Sequence, residues 1–288
     1  MKDLTSSQTL KKLEEWVKKE AHSSRFLDFY IGLLKIQADV EVNIIVVEPQ
    51  LSEKAVLNRM ANGKPLLRFS HLNTNLPQIQ ATFEKVVQVF SEYPDLFGTM
   101  PENLLKNQEL DRNIAKAWFE GKSLPVSAAN EDIDQTLLTT LIQQAFRPFL
   151  VRYSLALIER SKHKGWQQGY CPICAGDPDI ARLEKDVGER WLMCSRCDAP
   201  WRFPRLKCPF CGNQDSKTIS YFSDEKEAHR LYTCDNCHTY IKAVDLRKVA
   251  DAYLPLERLL TLDMDRQGQE KGFHPGYSQT EAGDKTQS

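Results

Sequence analysis

The sequence predicts a chain in two parts: an α-helical domain over residues 1–165, followed by two small β-rich modules, each built around four cysteines. Three observations lead to this prediction. Apolar residues recur at helical spacing in the first part of the chain. All eight cysteines fall between Cys171 and Cys237, among short β-prone segments. The length of 288 residues is enough for more than one compact domain.

Two helices are predicted in the first hundred residues. Apolar side chains at i, i+3 and i+4 spacing define a helix over residues 26–40, with Ser23 or Ser24 as its N-terminal cap. The same spacing defines a helix over residues 79–90, and Pro77 suits its first turn. The β-branched stretch 43–47 is interpreted as an extension of the first helix. We interpret both stripes as the core of a helical bundle.

The clearest apolar stripe predicts a third helix, over residues 137–149, with Asn130 as its predicted N-terminal cap. Pro148 is expected to kink this helix or to split it in two, because its ring removes one amide donor. The apolar residues beyond Pro148, up to Ile158, are expected to form a buried continuation. This helix would therefore close the N-terminal domain.

The character of the sequence changes at Gly165. Short β-prone segments then lie between the cysteine pairs, at residues 189–193, 218–222, 230–233 and 239–244. They predict a first module over residues 166–207 and a second over residues 208–250. The last region, residues 251–288, is expected to contain a short helix over 254–263 and a flexible polar tail from Gln267 onward.

The eight cysteines form four Cys-x-x-Cys pairs, namely Cys171 and Cys174, Cys194 and Cys197, Cys208 and Cys211, and Cys234 and Cys237. A tight turn in such a pair directs two sulfurs at one metal ion. A glycine after the second cysteine eases the left-handed backbone that this turn needs. Gly212 fills that position in one pair, whereas Ala175 occupies it in another. Two pairs supply the four thiolates of a closed tetrahedral site.

The spacing between the pairs favours two sites, each built from consecutive pairs. Nineteen residues separate Cys174 from Cys194 and 22 separate Cys211 from Cys234, and each interval suits a β-hairpin. Sequential pairing needs only these local hairpins, although an interleaved pairing remains an alternative. We therefore predict two metal ions per chain, zinc or iron, since both accept four thiolates. The predicted fold class is a multidomain α and small-β protein with two rubredoxin-like or zinc-ribbon modules.

Composition excludes some functions. The formal net charge of −1 gives no global field for nucleic acid or a membrane surface, and no apolar run is long enough to span a bilayer. The N-terminus lacks a secretory apolar region, so the chain is expected in the cytoplasm, where a disulfide framework is disfavoured. The sequence shows no nucleophile–base pair, phosphate-binding glycine loop or paired-carboxylate motif. We therefore predict no catalytic and no organic-cofactor residues, and a non-enzymatic role.

A basic cluster between the modules, Arg196, Arg202, Arg205 and Lys207, is typical of ribbons that bind nucleic acid. Residues 171–247 nevertheless contain 12 Lys+Arg and 12 Asp+Glu. Two divalent ions, each with four thiolates, bring this region to a side-chain charge of about −4. That balance favours a cationic peptide over a polyanion. A nucleic-acid-binding tandem ribbon and a rubredoxin-like electron carrier remain the alternatives.

The chain resembles the formate dehydrogenase accessory protein family (FdhE), which combines a helical N-terminal half with two rubredoxin-like modules. The resemblance is most specific over residues 144–246. It rests on the segment Phe146-Arg147-Pro148-Phe149-Leu150 and on the stretches 166–174, 190–197, 201–212 and 234–242. The alanine at position 175 departs from the expected glycine.

This resemblance implies a cytoplasmic maturation factor without enzymatic activity. Its partner would be the catalytic subunit of a formate dehydrogenase, bound before export or final assembly. The subunit's twin-arginine signal peptide would form part of the contact. The resemblance also implies self-association as a homodimer, and it carries a metal-binding role onto the eight cysteines.

Overall fold

A computed structural model describes residues 4–20, 24–106, 110–125, 134–161, 165–186, 188–249 and 251–278 of the chain. Helices dominate as far as residue 161, and a β-sheet follows, which confirms the predicted fold class. The helices of this first part are α1 (Ser6–Glu20), α2 (Arg25–Val42), α3 (Glu53–Ala61), α4 (Leu76–Ser91), α5 (Pro94–Phe97), α6 (Glu102–Lys106), α7 (Arg112–Phe119) and α8 (Gln135–Ser161). A 3-10 helix, Phe69–Asn75, precedes α4.

Helix α2 confirms the first predicted helix, and Ser24 is its cap, because the Ser24 hydroxyl accepts a hydrogen bond from the Leu27 amide at 3.3 Å. Ser23 lies outside the described residues. The expected extension through residues 43–47 is wrong, since α2 ends at Val42. Side chains satisfy the following carbonyls instead: the Asn75 amide donates to the Ile45 carbonyl at 3.1 Å. Tertiary hydrogen bonds thus replace the helical ones.

Helix α4 confirms the second predicted helix, with Pro77 in its first turn, and its predicted apolar face is buried. Helix α8 confirms the third and continues through Pro148 without being split. The predicted cap Asn130 lies outside the described residues. The Asp134 carboxylate accepts a hydrogen bond from the Leu137 amide at 2.8 Å at the start of α8. Side chains on both sides of the proline, including Phe146 and Phe149, are fully buried.

Contacts along the chain define two compact units. One contains the described residues before Gln50 together with Leu67–Ala156. The other contains Gln50–Leu66 and the described residues from Leu157 onward, so that α3 belongs with the cysteine-containing part. Within this second unit the Leu66 amide donates to the Pro172 carbonyl at 2.9 Å. The domain boundaries given above, as independent folding units, stay a prediction.

The second unit contains one mixed β-sheet. Its strands are β1 (Pro178–Leu183), β2 (Arg190–Cys194), β3 (Pro200–Arg202), β4 (Ile219–Ser223), β5 (His229–Cys234), β6 (Thr239–Asp245) and β7 (His274–Pro275). The spatial order is β3-β2-β1-β6-β5-β4, and β7 pairs with β6. Strands β2, β4, β5 and β6 match the four predicted segments to within one residue, whereas β1, β3 and β7 were not predicted.

The two cysteine modules share this sheet, because β1 of the first module pairs in parallel with β6 of the second, from Ile180↔Lys242 to Leu183↔Asp245. A common core lies beside this junction. Ile180, Met193, Val244 and Leu254 are buried in one apolar cluster that draws on both modules and on the chain after them. The two modules therefore share one sheet and one core and form a single packed body.

The C-terminal region is more structured than expected. The predicted short helix is two helices, α9 (Leu254–Leu260) and α10 (Leu262–Glu270), and the chain after Gln267 stays structured as far as Ser278. Gly268 allows α10 to lie close to the sheet, because a Cβ at this position would be 2.9 Å from the Tyr240 ring. The ammonium group of Lys242 in β6 donates to the Asp265 carboxylate of α10 at 2.6 Å. The expectation of a flexible segment from Gln267 is wrong for residues 267–278.

Candidate metal centres

The four Cys-x-x-Cys pairs fold into similar turns. In the first pair the Cys171 amide donates to the Gly176 carbonyl at 2.9 Å, and the Ala175 amide donates to the Cys171 carbonyl at 3.1 Å. The residue after the second cysteine adopts a left-handed backbone in every pair, with φ of 62° at Ala175, 56° at Asp198, 74° at Gly212 and 52° at His238. The turn therefore requires a conformation in which three non-glycine residues are strained.

The structure brings the eight sulfurs together as two clusters of four. Centre 1 consists of Cys171, Cys174, Cys194 and Cys197, and centre 2 consists of Cys208, Cys211, Cys234 and Cys237. These are the sequential sets favoured by the spacing, and the interleaved alternative is not found. Each of the candidate metal sites in the described part of the chain consists of cysteines alone.

The sulfur positions suit a tetrahedral metal ion. In centre 1 the Sγ atoms of Cys171 and Cys197 are 3.5 Å apart, as are those of Cys174 and Cys194. In centre 2 the corresponding distances, Cys208 to Cys237 and Cys211 to Cys234, are 3.7 Å. Metal–sulfur bonds of about 2.3 Å in a tetrahedron place the sulfurs about 3.8 Å apart. Both centres therefore fit a zinc or iron ion, and four sulfurs fill its coordination sphere.

Centre 1 is enclosed by protein. Its four cysteines are 0–1% exposed, and the backbone amides of Ile173 and Arg196 donate to the sulfurs of Cys171 and Cys194 at 3.3 and 3.4 Å. Hydrogen bonds from the other three thiols lower the pKa of Cys174 well below its usual value, and the positive charge of Arg196 contributes. Burial raises the pKa of Cys171 and Cys197. The geometry thus favours one thiolate before any metal binds.

Centre 2 is more open and uses side-chain donors. Cys211 is exposed and Cys237 is half-buried. The Asn213 amide lies 3.6 Å from Cys234 Sγ, and the Asn236 amide lies 3.5 Å from Cys211 Sγ. A hydrogen bond from Cys237 lowers the pKa of Cys208 to about 5. In centre 2 the sulfur with the lowered pKa, Cys208, is therefore buried, whereas Cys211 faces solvent.

Sequence reasoning missed the polar residues that support centre 1. Arg258 of α9 donates to the Asp179 carboxylate at 2.9 Å, to the Asp198 carboxylate at 3.0 Å and to the Cys194 carbonyl at 3.3 Å. Asp198 follows Cys197 directly, so this arginine ties the C-terminal helix to the second turn of centre 1. A lone arginine in a predicted helix carries no local signal that could have revealed this contact.

The described histidines of the second unit do not join the sulfur clusters. His229 Nε2 lies 2.8 Å from the Glu257 carboxylate, and His229 Nδ1 lies 2.9 Å from the Asp224 carboxylate. The hydrogen bond with Glu257 raises the pKa of His229 above its usual value, against the opposing effect of burial. His238, which follows Cys237, has the left-handed backbone described above.

Fold and site together define a class of protein, in which a helical N-terminal part is followed by a β-sheet that carries two four-cysteine centres. No protein-family model matches the chain. The "Protein FdhE homolog" of Aquifex aeolicus (strain VF5) is 29% identical over 262 residues, which are 87% of this chain and 86% of that protein. This chain is thus similar to FdhE proteins along most of its length.

Shorter matches lead to the same family. "Protein FdhE homolog" of Shewanella sp. (strain MR-4) is 36% identical over 110 residues, 37% of this chain and 36% of that protein. "Protein FdhE" of Escherichia coli O127:H6 is 30% identical over 113 residues, 38% of this chain and 36% of that protein. The crystal structure of the FdhE protein from Pseudomonas aeruginosa shares the fold, with a TM-score of 0.60 and 21% identity over 94% of this chain and 92% of that chain.

Across the described ranges, no helix combines the length and the apolar character that a membrane-spanning segment needs.

Proposed function

We propose that this chain is a cytoplasmic accessory factor that binds the catalytic subunit of a formate dehydrogenase before its export or final assembly. The observation that carries the proposal is the similarity to FdhE proteins along most of the chain, together with the two sulfur centres. The factor has no turnover of its own. Its proposed role is to bind and hold an immature subunit, and it self-associates as a homodimer.

Each centre binds one metal ion, zinc or iron, through its four cysteines. Such an ion supplies stability to a module with little core of its own, and it holds the turns that carry the sulfurs. Because four sulfurs complete a tetrahedral coordination sphere, neither centre leaves a position for a substrate. This supports a binding factor rather than a metallohydrolase.

The charges around the centres favour a cationic partner. Of the basic cluster between the modules, Arg202 pairs with Glu189 at 2.7 Å, and the charge of Arg196 acts on Cys174 within centre 1. The metal-loaded region keeps a net side-chain charge of about −4. A twin-arginine signal peptide on the catalytic subunit has the complementary charge. Exposed charge pairs contribute only about 0–1 kcal/mol each, so apolar contacts with the subunit supply the remaining affinity.

The test compares three ligands of the metal-loaded full chain by calorimetry and fluorescence anisotropy. These are the whole catalytic subunit, its synthetic signal peptide and a DNA duplex. We expect the subunit to bind most tightly and the peptide to bind more weakly when its two arginines become glutamines. Peptide binding should also weaken in high salt, because exposed charges are screened over about 10 Å at 0.1 M.

A duplex that binds at lower concentration than both the subunit and the peptide would replace this proposal with the nucleic-acid alternative. The electron-carrier alternative would be favoured if the iron-loaded chain is reversibly reduced by a redox protein and does not bind the catalytic subunit. Sedimentation of the metal-loaded chain over a range of concentrations checks the homodimer, which requires a mass near twice 33.1 kDa.

A further inference from the structure

The two centres have the same arrangement of cysteine pairs but different residues at equivalent positions. Gly176, five residues after Cys171, corresponds to Asn213, five residues after Cys208. The Gly176 backbone lies so close to centre 1 that a Cβ there would be 2.8 Å from Cys194 Sγ. Asn213 instead presents its side-chain amide to Cys234. At this position of the turn, the backbone packs against a sulfur in centre 1. In centre 2, a side chain donates a hydrogen bond to a sulfur instead.

A second pair of equivalent positions shows the same contrast. Arg196 and Asn236 both lie between the cysteines of the second turn of their module. The Arg196 side chain lies against Gly176, with its Cδ at 2.9 Å from the ideal Cβ position, and so covers the turn of centre 1. Asn236 is exposed and reaches only to Cys211 Sγ, which is exposed as well. Centre 2 lacks a cover over this sulfur.

Exposure of the sulfurs decides which metal an outside ligand can reach. All four cysteines of centre 1 are 0–1% exposed, and the adjacent Ile173 and Ala199 are fully buried. In centre 2, Cys208 and Cys234 are buried, whereas Cys211 and Cys237 face solvent in full or in part. Replacement of a cysteine thiolate requires the incoming ligand to approach the ion while one sulfur leaves. Only centre 2 offers that approach without opening of the fold.

We infer that the two centres have different roles: centre 1 holds its metal permanently, and centre 2 is the site at which metal is exchanged with ligands outside the protein. The inference rests on the proposed binding of one ion per centre. In each exchange step, a bond from the ion to the incoming ligand forms and the bond to Cys211 breaks. The released Cys211 thiolate then takes a proton from solvent, without any change of oxidation state.

Asn236 is the positioning residue for this exchange. Its amide donates to the Cys211 thiolate at 3.5 Å and stabilises the charged, metal-binding form of the sulfur. Loss of this donor removes a contact that holds the Cys211 sulfur in place, so an incoming ligand displaces that sulfur more easily. Asn236 is exposed, and the contact with Cys211 lies at the surface, so its replacement should leave the fold intact.

The experiment uses the full chain loaded with zinc and challenged with excess EDTA. Samples taken over time are treated with N-ethylmaleimide, and peptide mass spectrometry reports which cysteines have become free. We expect two phases, with Cys208, Cys211, Cys234 and Cys237 labelled in the first and the cysteines of centre 1 labelled only in a much slower second phase. Release of both ions in one phase, or earlier labelling of centre 1, overturns the inference.

Two variants sharpen the test. Asn236→Ala should speed release from centre 2 by about tenfold, the lower end of the usual effect of losing an outer-shell partner, and leave centre 1 unchanged. Gln214→Ala, an exposed amide beside Asn213, is the matched control and should release at the unmodified rate. An Asn236→Ala rate equal to that of the control removes the positioning role.

The zinc content before the challenge separates this inference from the proposed function. A chain that binds no zinc contradicts the proposed metal binding and the inference with it. Two zinc ions per chain that leave together support metal binding and contradict only the difference between the centres. A chain that keeps a single ion in centre 1, with the thiols of centre 2 free, supports the inference.

Discussion

Replacement of Arg258 with leucine should be among the most damaging single changes in the second unit. The Arg258 side chain is 12% exposed, and its two carboxylate partners, Asp179 and Asp198, are 8% and 3% exposed. Leucine keeps part of the side-chain volume but takes away the guanidinium group that pairs with both buried carboxylates. Breaking a buried ion pair by removing one partner costs about 3–5 kcal/mol.

Hydrogen exchange read by mass spectrometry is the appropriate assay, because a chain of two units does not unfold in one step. The peptides to follow cover β1, the turn at Asp198 and α9. A cost of about 3 kcal/mol corresponds to a loss of protection of about 100-fold, since 1.4 kcal/mol is one factor of ten. Peptides of α4 in the first unit serve as the internal reference.

Arg266→Leu on α10 is the matched control. Arg266 is 70% exposed and pairs with Asp263 and Glu270, both of which are also exposed. Exposed pairs contribute about 0–1 kcal/mol, so this variant should change protection by less than tenfold. The addition of Asp179→Asn to Arg258→Leu should restore part of the loss, because one buried charge is removed. The reasoning fails if Arg258→Leu is no worse than Arg266→Leu.

Three further predictions concern Ala175, His229 and Cys208. Ala175→Gly should stabilise the first turn of centre 1 by about 1 kcal/mol, because alanine is strained at a φ of 62°. Hydrogen exchange over this turn in the metal-loaded chain measures the effect, and unchanged protection refutes it. The raised pKa of His229 means that its protonated form stabilises the fold fully below about pH 6.5 and loses this effect as pH rises through the raised value. Hydrogen exchange of α9 across this range should show that loss, and His229→Gln should remove the pH dependence. Cys208→Ser should unfold the second module and leave the helices of the first unit folded, since metal ligation supplies about 10–16 kcal/mol in zinc-finger peptides; retained protection over residues 208–237 contradicts a structural role of the site.

The features that the sequence predicted correctly depend on short-range chemistry. The four strands β2, β4, β5 and β6 are short β-prone segments between the cysteine turns, and each sulfur centre is closed by a local hairpin. The turn after each Cys-x-x-Cys pair follows from its own backbone hydrogen bonds. The grouping of the cysteines was therefore predictable from spacing, and their ligation of metal stays a prediction.

The features that were missed depend on contacts between distant residues. Strand β1 begins with Pro178 and Asp179 and contains Ala181, residues that disfavour strands, and its pairing with β6 supplies what its propensity lacks. Helix α10 is polar, and its position on the sheet depends on the fit of Gly268 against Tyr240 and on the ion pair of Lys242 with Asp265. The stretch 43–47 lost its helix to side-chain hydrogen bonds from α4 and its neighbouring turn. No local pattern encodes any of these contacts.

The position of β6 makes the stability of the two centres interdependent. This strand begins at Thr239, two residues after Cys237 of centre 2, and its far end pairs with β1, which begins four residues after Cys174 of centre 1. If loss of metal from the second module loosens β6, then β1 loses its hydrogen bonds to β6, as β5 does. Strand β1 keeps its antiparallel pairing with β2 and the Arg258 contact at Asp179, so centre 1 should weaken without collapsing. Because the two centres share one sheet, the proposed exchange of metal at centre 2 should also change the rigidity around centre 1.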